Sequence, residues 1–397
     1  MVTIVEDLLA GPRGRRLCWE VVLGTVGDQP DDDTLFWASY WISVRRGDGI
    51  SLSGPGASEP RPAPSDDDVV TAVEALFDAA DPASATLDQV LAALGRAAES
   101  AMWWQEPDAE DVLLGTVVPR SLHERIAAAV ATAPGVQALF ATDQDPALAP
   151  APALAPAPRQ WAVIPDTSGY GGAVRRAAAV LAEWRRELLD ERSHGLGDPV
   201  TAPISGTWWT TPPGGLLDTT TERDGRGPLG LWAVEDHTGW ERAAVAPVAV
   251  DPSARIVVVD DAEDWAALCR AAPIDVTATT RRHDWYRATG RDGAWVVPDW
   301  AAIAERYDAV HLTLRGWLRA SGTAIPVDAD SADGTADSAD GTLDSAEGTL
   351  HSADGTPASV IAGWTPDTTV WLRDPRPALG PSTMWRWSGE DRGWLPA

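Results

Sequence analysis

The 397-residue chain contains no lysine and no asparagine, and all 31 of its basic residues are arginine. Lysine and asparagine codons are A-rich, so a GC-rich gene accounts for both gaps. The chemical consequence holds whatever the cause. A P-loop, a protein-kinase strand and a Schiff-base site each need a lysine amine, and none can be built here. Sequon glycosylation is excluded with asparagine. Cysteine is nearly absent: Cys18 and Cys269 stand far apart and neither has a CxxC neighbour. That rules out a disulfide framework and cysteine-rich zinc sites. The six histidines form no HxH, HxxxH or HExxH pattern, so no metal site is predicted. No apolar run reaches the roughly 18 residues of a membrane span; residues 127–141 come closest and are interrupted by Pro134 and Gly135. Near the N-terminus Glu6 and Asp7 precede Arg13, Arg15 and Arg16, the reverse of a signal peptide, so a cytoplasmic location is expected. There is no GxSxG elbow. The nearest approach to a phosphate loop is Ser168-Gly-Tyr-Gly-Gly172, a weak signal before a helix.

What is abundant is acid. The chain holds 59 Asp plus Glu, for a formal charge of −28. Residues 1–150 contribute 24 acids against 9 Arg, a net of −15. Nucleic acid and anionic membrane are polyanions and would be repelled. The charge favours a basic partner, or serves simply for solubility.

Residues 17–23 and 35–44 are apolar and aromatic runs separated by Asp-rich sequence, which predicts two strands. Ser65 and Thr86 cap predicted helices over 66–77 and 87–94, and two more follow at 108–114 and 120–131. Residues 1–145 are therefore expected to be a small acidic domain with strands first and helices after. The alternating Pro/Ala tract at 146–158 reads as a semi-rigid linker, extending to residue 160. Residues 161–397 are expected to form a second, mixed α/β domain, so the fold class is α+β. Its predicted elements are a helix over 173–192, strands at 204–211 and 229–234, a hairpin of 244–250 with 255–259, and a helix over 262–271. A strand at 294–297, a helix over 299–307, a strand at 309–314 and a closing pair of 359–363 with 368–372 complete it. Four near copies of Ser-Ala-Asp-Gly-Thr begin at Ser331, Ser338, Ser345 and Ser352. Small, acidic and glycine-bearing, residues 328–357 are expected to be a disordered insertion.

The candidate chemistry lies in the second domain. Trp208 and Trp209 are adjacent on a predicted strand and so face opposite ways; one of them is free to stack on a ring or a sugar. Arg281, Arg282 and Arg287 surround His283, Trp285 and Tyr286, a combination suited to bidentate capture of phosphate or carboxylate. His311 and Thr313 share one side of the predicted strand 309–314, opposite Val310 and Leu312.

The stretches Ile204-Ser-Gly-Thr-Trp-Trp-Thr-Thr-Pro212 and Ala362-Gly-Trp-Thr-Pro-Asp-Thr-Thr-Val-Trp-Leu-Arg373, with residues 281–287 and 298–301, resemble a group of actinobacterial proteins of unknown function. The order of elements over about 200–375 is also similar to that of the mono-ADP-ribosyltransferase superfamily. That likeness implies a cleft for NAD, with Trp208 or Trp209 on a ring, the arginines on phosphate, and His311 or Asp367 on the ribose. The chain departs from the superfamily pattern in offering Trp208–Thr211 where an Arg or His is usual, and Asp367 in place of Glu. Three functions follow as expectations: an NAD-binding ADP-ribosyltransferase-like protein, a non-enzymatic acidic protein that engages a basic partner, and a carbohydrate binder.

Overall fold

The computed structural model describes residues 4–27, 33–47, 61–141, 160–166, 175–195, 197–236, 239–328, 355–389 and 393–397. The Pro/Ala tract, the Ser168–Gly172 turn, His237 and the acidic repeat lie outside them.

Among its described residues the N-terminal segment forms helices and no strand: α1 (Ile4–Ala10), α2 (Pro12–Leu23), α3 (Thr34–Arg46), α4 (Asp66–Ala79), α5 (Leu87–Glu99), α6 (Ala109–Thr116), α7 (Arg120–Thr132) and α8 (Pro134–Ala141). The strands expected at 17–23 and 35–44 are the helices α2 and α3. A short continuous apolar run fits a buried helix as well as a strand, and here burial decides. Residues 16–22 of α2 are all buried, and its charged face of Arg13, Arg16 and Glu20 is enclosed in ion pairs rather than turned to water. Pro12 opens it at the first helical position, where its missing N–H costs nothing. Its polar groups are satisfied across helices. Arg13 Nη1 donates to the Ala97 carbonyl at 2.9 Å, and Glu20 accepts from Arg16 at 2.8 Å and Arg96 at 2.6 Å. The helices α4 and α5 begin where expected, each with a reciprocal capping box, Ser65 with Asp68 and Thr86 with Gln89.

The second segment is built on a nine-stranded mixed sheet. Its order is β13 (Trp394–Pro396), β12 (Thr383–Trp387), β3 (Arg242–Ala249), β1 (Gln160–Pro165), β2 (Leu217–Thr221), β10 (Thr368–Trp371), β7 (Ala309–Leu312) and β4 (Ile256–Val259), with β11 (Ala378–Leu379) also on β3. Every neighbouring pair is antiparallel except β4 with β7. Between β4 and β7 run α10 (Ala262–Ala271), β5 (Pro273–Asp275), α11 (Arg281–Thr289), β6 (Val296–Pro298) and α12 (Trp300–Arg306). The helices α9 (Ala177–His194) and α13 (Leu314–Ala320) and the short pair β8 (Ile325–Pro326) with β9 (Ala358–Ser359) complete the chain. The fold is thus α+β, and among the described residues no helix is long and apolar enough to cross a membrane.

Several predicted pairings are overturned. β3 and β4 are strands but not a hairpin: β3 pairs with β1 and β12, β4 with β7, near opposite ends of the sheet. The β-propensity of both runs is real, but adjacency in sequence does not fix partners. The expected closing pair separates in the same way, because β10 inserts between β2 and β7 while Ser359 pairs with Ile325. Residues 204–211 form no regular strand, and Leu229–Leu231 is a 3-10 turn.

The helical layer and the sheet unit share one buried cluster, in which Leu8, Leu17 and Leu91 belong with Trp265, Trp317 and Trp364. At the seam Asp7, with no solvent exposure, accepts from Arg315 at 3.0 Å and Arg319 at 2.8 Å of α13.

Candidate functional site

The sequence-predicted residues fall into separate clusters. His311 and Asp367 meet. The two are 3% and 2% exposed, and His311 Nε2 lies 3.8 Å from Asp367 Oδ1, while its Nδ1 is 2.9 Å from Thr369 Oγ1. Asp367 stands at a positive φ of 58° after the turn that leads into β10. Its other oxygen accepts from the Thr221 backbone at 3.0 Å and hydroxyl at 2.6 Å, and Arg223 Nη2 lies 3.0 Å away. Arg223 is itself 1% exposed and bonds Thr221 Oγ1. This is a closed polar knot across three central strands, with a buried cation matched to a buried anion.

Thr313 does not join it. It follows β7 and caps α13, accepting from Gly316 N and donating to Asp260 at 2.6 Å.

The arginine cluster lies on the largely buried helix α11, which staples the irregular segment 200–209. His283 Nδ1 sits 3.0 Å from the Val200 carbonyl, Arg287 donates to Ile204 O at 2.8 Å, and Trp285 Nε1 donates to Trp208 O at 2.8 Å. Arg281 reaches Trp209 O at 3.4 Å and lies 3.5 Å from Glu191; burial lowers its pKa to about 10. The backbone of an irregular segment needs partners, and these side chains supply them. Arg282 is partly exposed on the same helix. Trp208 is buried and Trp209, edge-on to it, is 39% exposed. Among the described residues no group of three potential metal ligands gathers.

Sequence reasoning missed an aromatic site elsewhere on the sheet. Trp385 and Trp387 of β12 are two residues apart and so share a face, and Trp394 of β13 stands opposite Trp387 in register. Trp161 of β1 and Trp232 and Trp240 of the loop before β3 pack onto the same patch. Trp240 and Trp394 have ring centres 5.1 Å apart, and Trp232 meets Trp387 edge-on at 5.9 Å. The helix α5 crosses this patch. Gly95 lets it approach closely, since a Cβ there would come within 2.7 Å of the Trp232 carbonyl oxygen. Arg226 fixes the crossing by donating to Asp88 at 3.0 Å, and its carbonyl takes the Trp232 indole N–H at 2.9 Å.

Between α5 and the tryptophans lies a cleft of about 280 Å³, lined by Gly95, Arg96 and Glu99 on one side and Trp232, Trp240, Glu241, Trp387 and Trp394 on the other. Glu99 and Glu241 are exposed, whereas Arg96 is held by Glu20. The signal was present in the sequence as three tryptophans within residues 385–394.

No family model matches the chain, and the comparisons with curated proteins and with solved structures likewise return nothing similar.

Proposed function

We propose that the protein is a binding protein for a basic partner, and that the tryptophan-lined cleft takes one cationic side chain of it. The observation that carries this is one cleft lined by four indoles and by two exposed carboxylates, Glu99 and Glu241, beside a guanidinium already neutralised by Glu20. An indole face attracts a cation, more strongly as water is excluded. A cleft of about 280 Å³ stands at the small end of ligand sites, the size of a side-chain head group and too small for a dinucleotide. The net charge of −28 steers a basic partner towards it.

The test is a titration, followed by the indole N–H resonances, with N-acetylarginine amide and its uncharged isostere N-acetylcitrulline amide. The arginine compound is expected to bind with a Kd of about 1 mM, suited to a single head group, and more weakly at high salt. Glu99→Gln and Glu241→Gln, both exposed, should each weaken it roughly tenfold, the equivalent of about 1.4 kcal/mol. Equal binding of citrulline would remove the cationic reading; preferential binding of an uncharged disaccharide would return the cleft to the carbohydrate reading.

The NAD-dependent transferase reading rests on His311 and Asp367 meeting in the central strands. Against it stands their enclosure by Thr221, Arg223 and Thr369. Saturable binding of NAD that His311→Gln abolishes in a folded protein would favour it over the cationic cleft.

A further inference from the structure

Glu235 lies in the same loop as Trp232 and Trp240 but points the other way, into the protein. Its Oε1 accepts the Trp317 indole N–H of α13 at 2.6 Å, and its Oε2 accepts the backbone N–H groups of Gly363 at 2.7 Å and Trp364 at 3.1 Å. The Trp103 indole N–H, in the segment after α5, is buried and makes no hydrogen bond of its own. One side chain therefore ties a cleft-forming loop to α13 and to the turn before β10. The loop needs such an anchor. Asp236 and Gly239 both adopt positive φ, at 52° and 72°, a backbone region that side-chain-bearing residues seldom enter.

We infer that Glu235 is the positioning residue of the cleft, holding the loop that carries Trp232, Val234, Gly239, Trp240 and Glu241 in its ligand-ready form. The inference rests on the cleft being a binding site. Deprotonated, the carboxylate accepts from every donor that faces it. Protonated, it carries a hydrogen of its own and accepts more weakly. Burial pushes its pKa up to about 7, against the pull of the indole and backbone donors. The charged groups around it are few. Arg13 stacks on Trp103 at 4.9 Å, Arg315 and Arg319 of α13 are engaged by Asp7 and Asp260, and Asp236 is exposed.

The experiment follows binding of N-acetylarginine amide, and the indole resonances of Trp232 and Trp240, from about pH 5.5 to about pH 8 in the wild type, Glu235→Gln and Trp317→Phe. Wild-type affinity should rise severalfold through about pH 7. Glu235→Gln should unfold cooperatively, bind about tenfold more weakly at the upper pH and lose the pH dependence, with both resonances displaced. Trp317→Phe, which removes one donor, should fall between the two. Glu235→Gln keeps every other titratable group, His237 included, so a slope that survives in it belongs elsewhere and overturns the inference. Undisplaced resonances overturn it too. If the probe fails to bind the wild type but the two resonances still move in the variant, Glu235 positions the loop and it is the cationic reading that fails.

Discussion

Gly322, just after α13, lies flat against the indole of Trp103, so that a Cβ at this position would overlap the ring. Its φ of +74° is also one that side chains seldom adopt. The contact joins the helical layer to the sheet unit. Gly322→Ala should destabilise the fold by about 2–3 kcal/mol, through overpacking and backbone strain together. Thermal unfolding would register this as a drop of several degrees; an unchanged midpoint would mean the indole is free to move aside.

Asp7 should matter more than either of its partners. It is fully buried and serves both Arg315 and Arg319, while those arginines keep some exposure. Asp7→Ala is expected to cost about 3 kcal/mol, the usual effect of stranding buried charge. Arg315→Ala should cost clearly less, because Arg319 still compensates the carboxylate. Denaturant midpoints of the two variants, compared at equal m-value, give the order directly.

The knot around Asp367 predicts a stability defect. Asp367→Asn keeps a residue tolerant of positive φ but strips the charge that faces buried Arg223. A loss of about 3 kcal/mol or more is expected. A variant of wild-type stability would show that Arg223 finds another counter-charge.

Glu235 also predicts a pH dependence of folding. Its pKa is raised from 4.5 in the unfolded chain to about 7. Between those values the native state holds a proton that the unfolded state has released. Its contribution is therefore fully present below about pH 4.5 and is lost as pH rises towards 7. The slope is at most about 1.4 kcal/mol per pH unit. The stability difference between wild type and Glu235→Gln, measured at about pH 5.5 and about pH 7.5, should shift against the wild type at the higher value. A constant difference would place the titration outside this window.

The acidic repeat is bracketed by chain ends that already meet: Val327 N donates to Pro357 O at 2.8 Å, next to the β8–β9 pair. Replacing residues 329–354 with a short Gly-containing turn should leave the melting temperature within a few degrees, since loop-closure entropy varies slowly with length. A fall of many degrees would show that the repeat packs.

Local signals in the sequence were read well where the chemistry is local. Ser65 and Thr86 cap helices at the expected places, and α6, α10 and α12 form close to the ranges expected for them. Reading failed where tertiary context decides. α2 buries its charged face in ion pairs, and α3 carries Phe36, Trp37, Tyr40, Trp41 and Ile42, residues that favour strands until packing overrides them. Strand partners were not legible, because β10 pairs with elements about 60 and 150 residues earlier. Of the candidate site residues, His311 and Asp367 do meet, across a turn that sequence spacing left open. The arginines of α11 proved to serve backbone carbonyls, which no motif announces.

The place of β10 between β2 and β7 has a consequence for the order in which the chain can assemble on the ribosome. Until residues 368–371 emerge, β1, β2 and β3 form one half-sheet and β4 with β7 another, each with a raw edge of unpaired amides and carbonyls. Such edges invite pairing with neighbouring chains. The nascent protein thus passes through a long interval in which its two halves are templates for each other and for strangers alike. A single four-residue strand, Thr-Thr-Val-Trp, joins the two halves, and the outer edge of β3 waits for β11 and β12 later still.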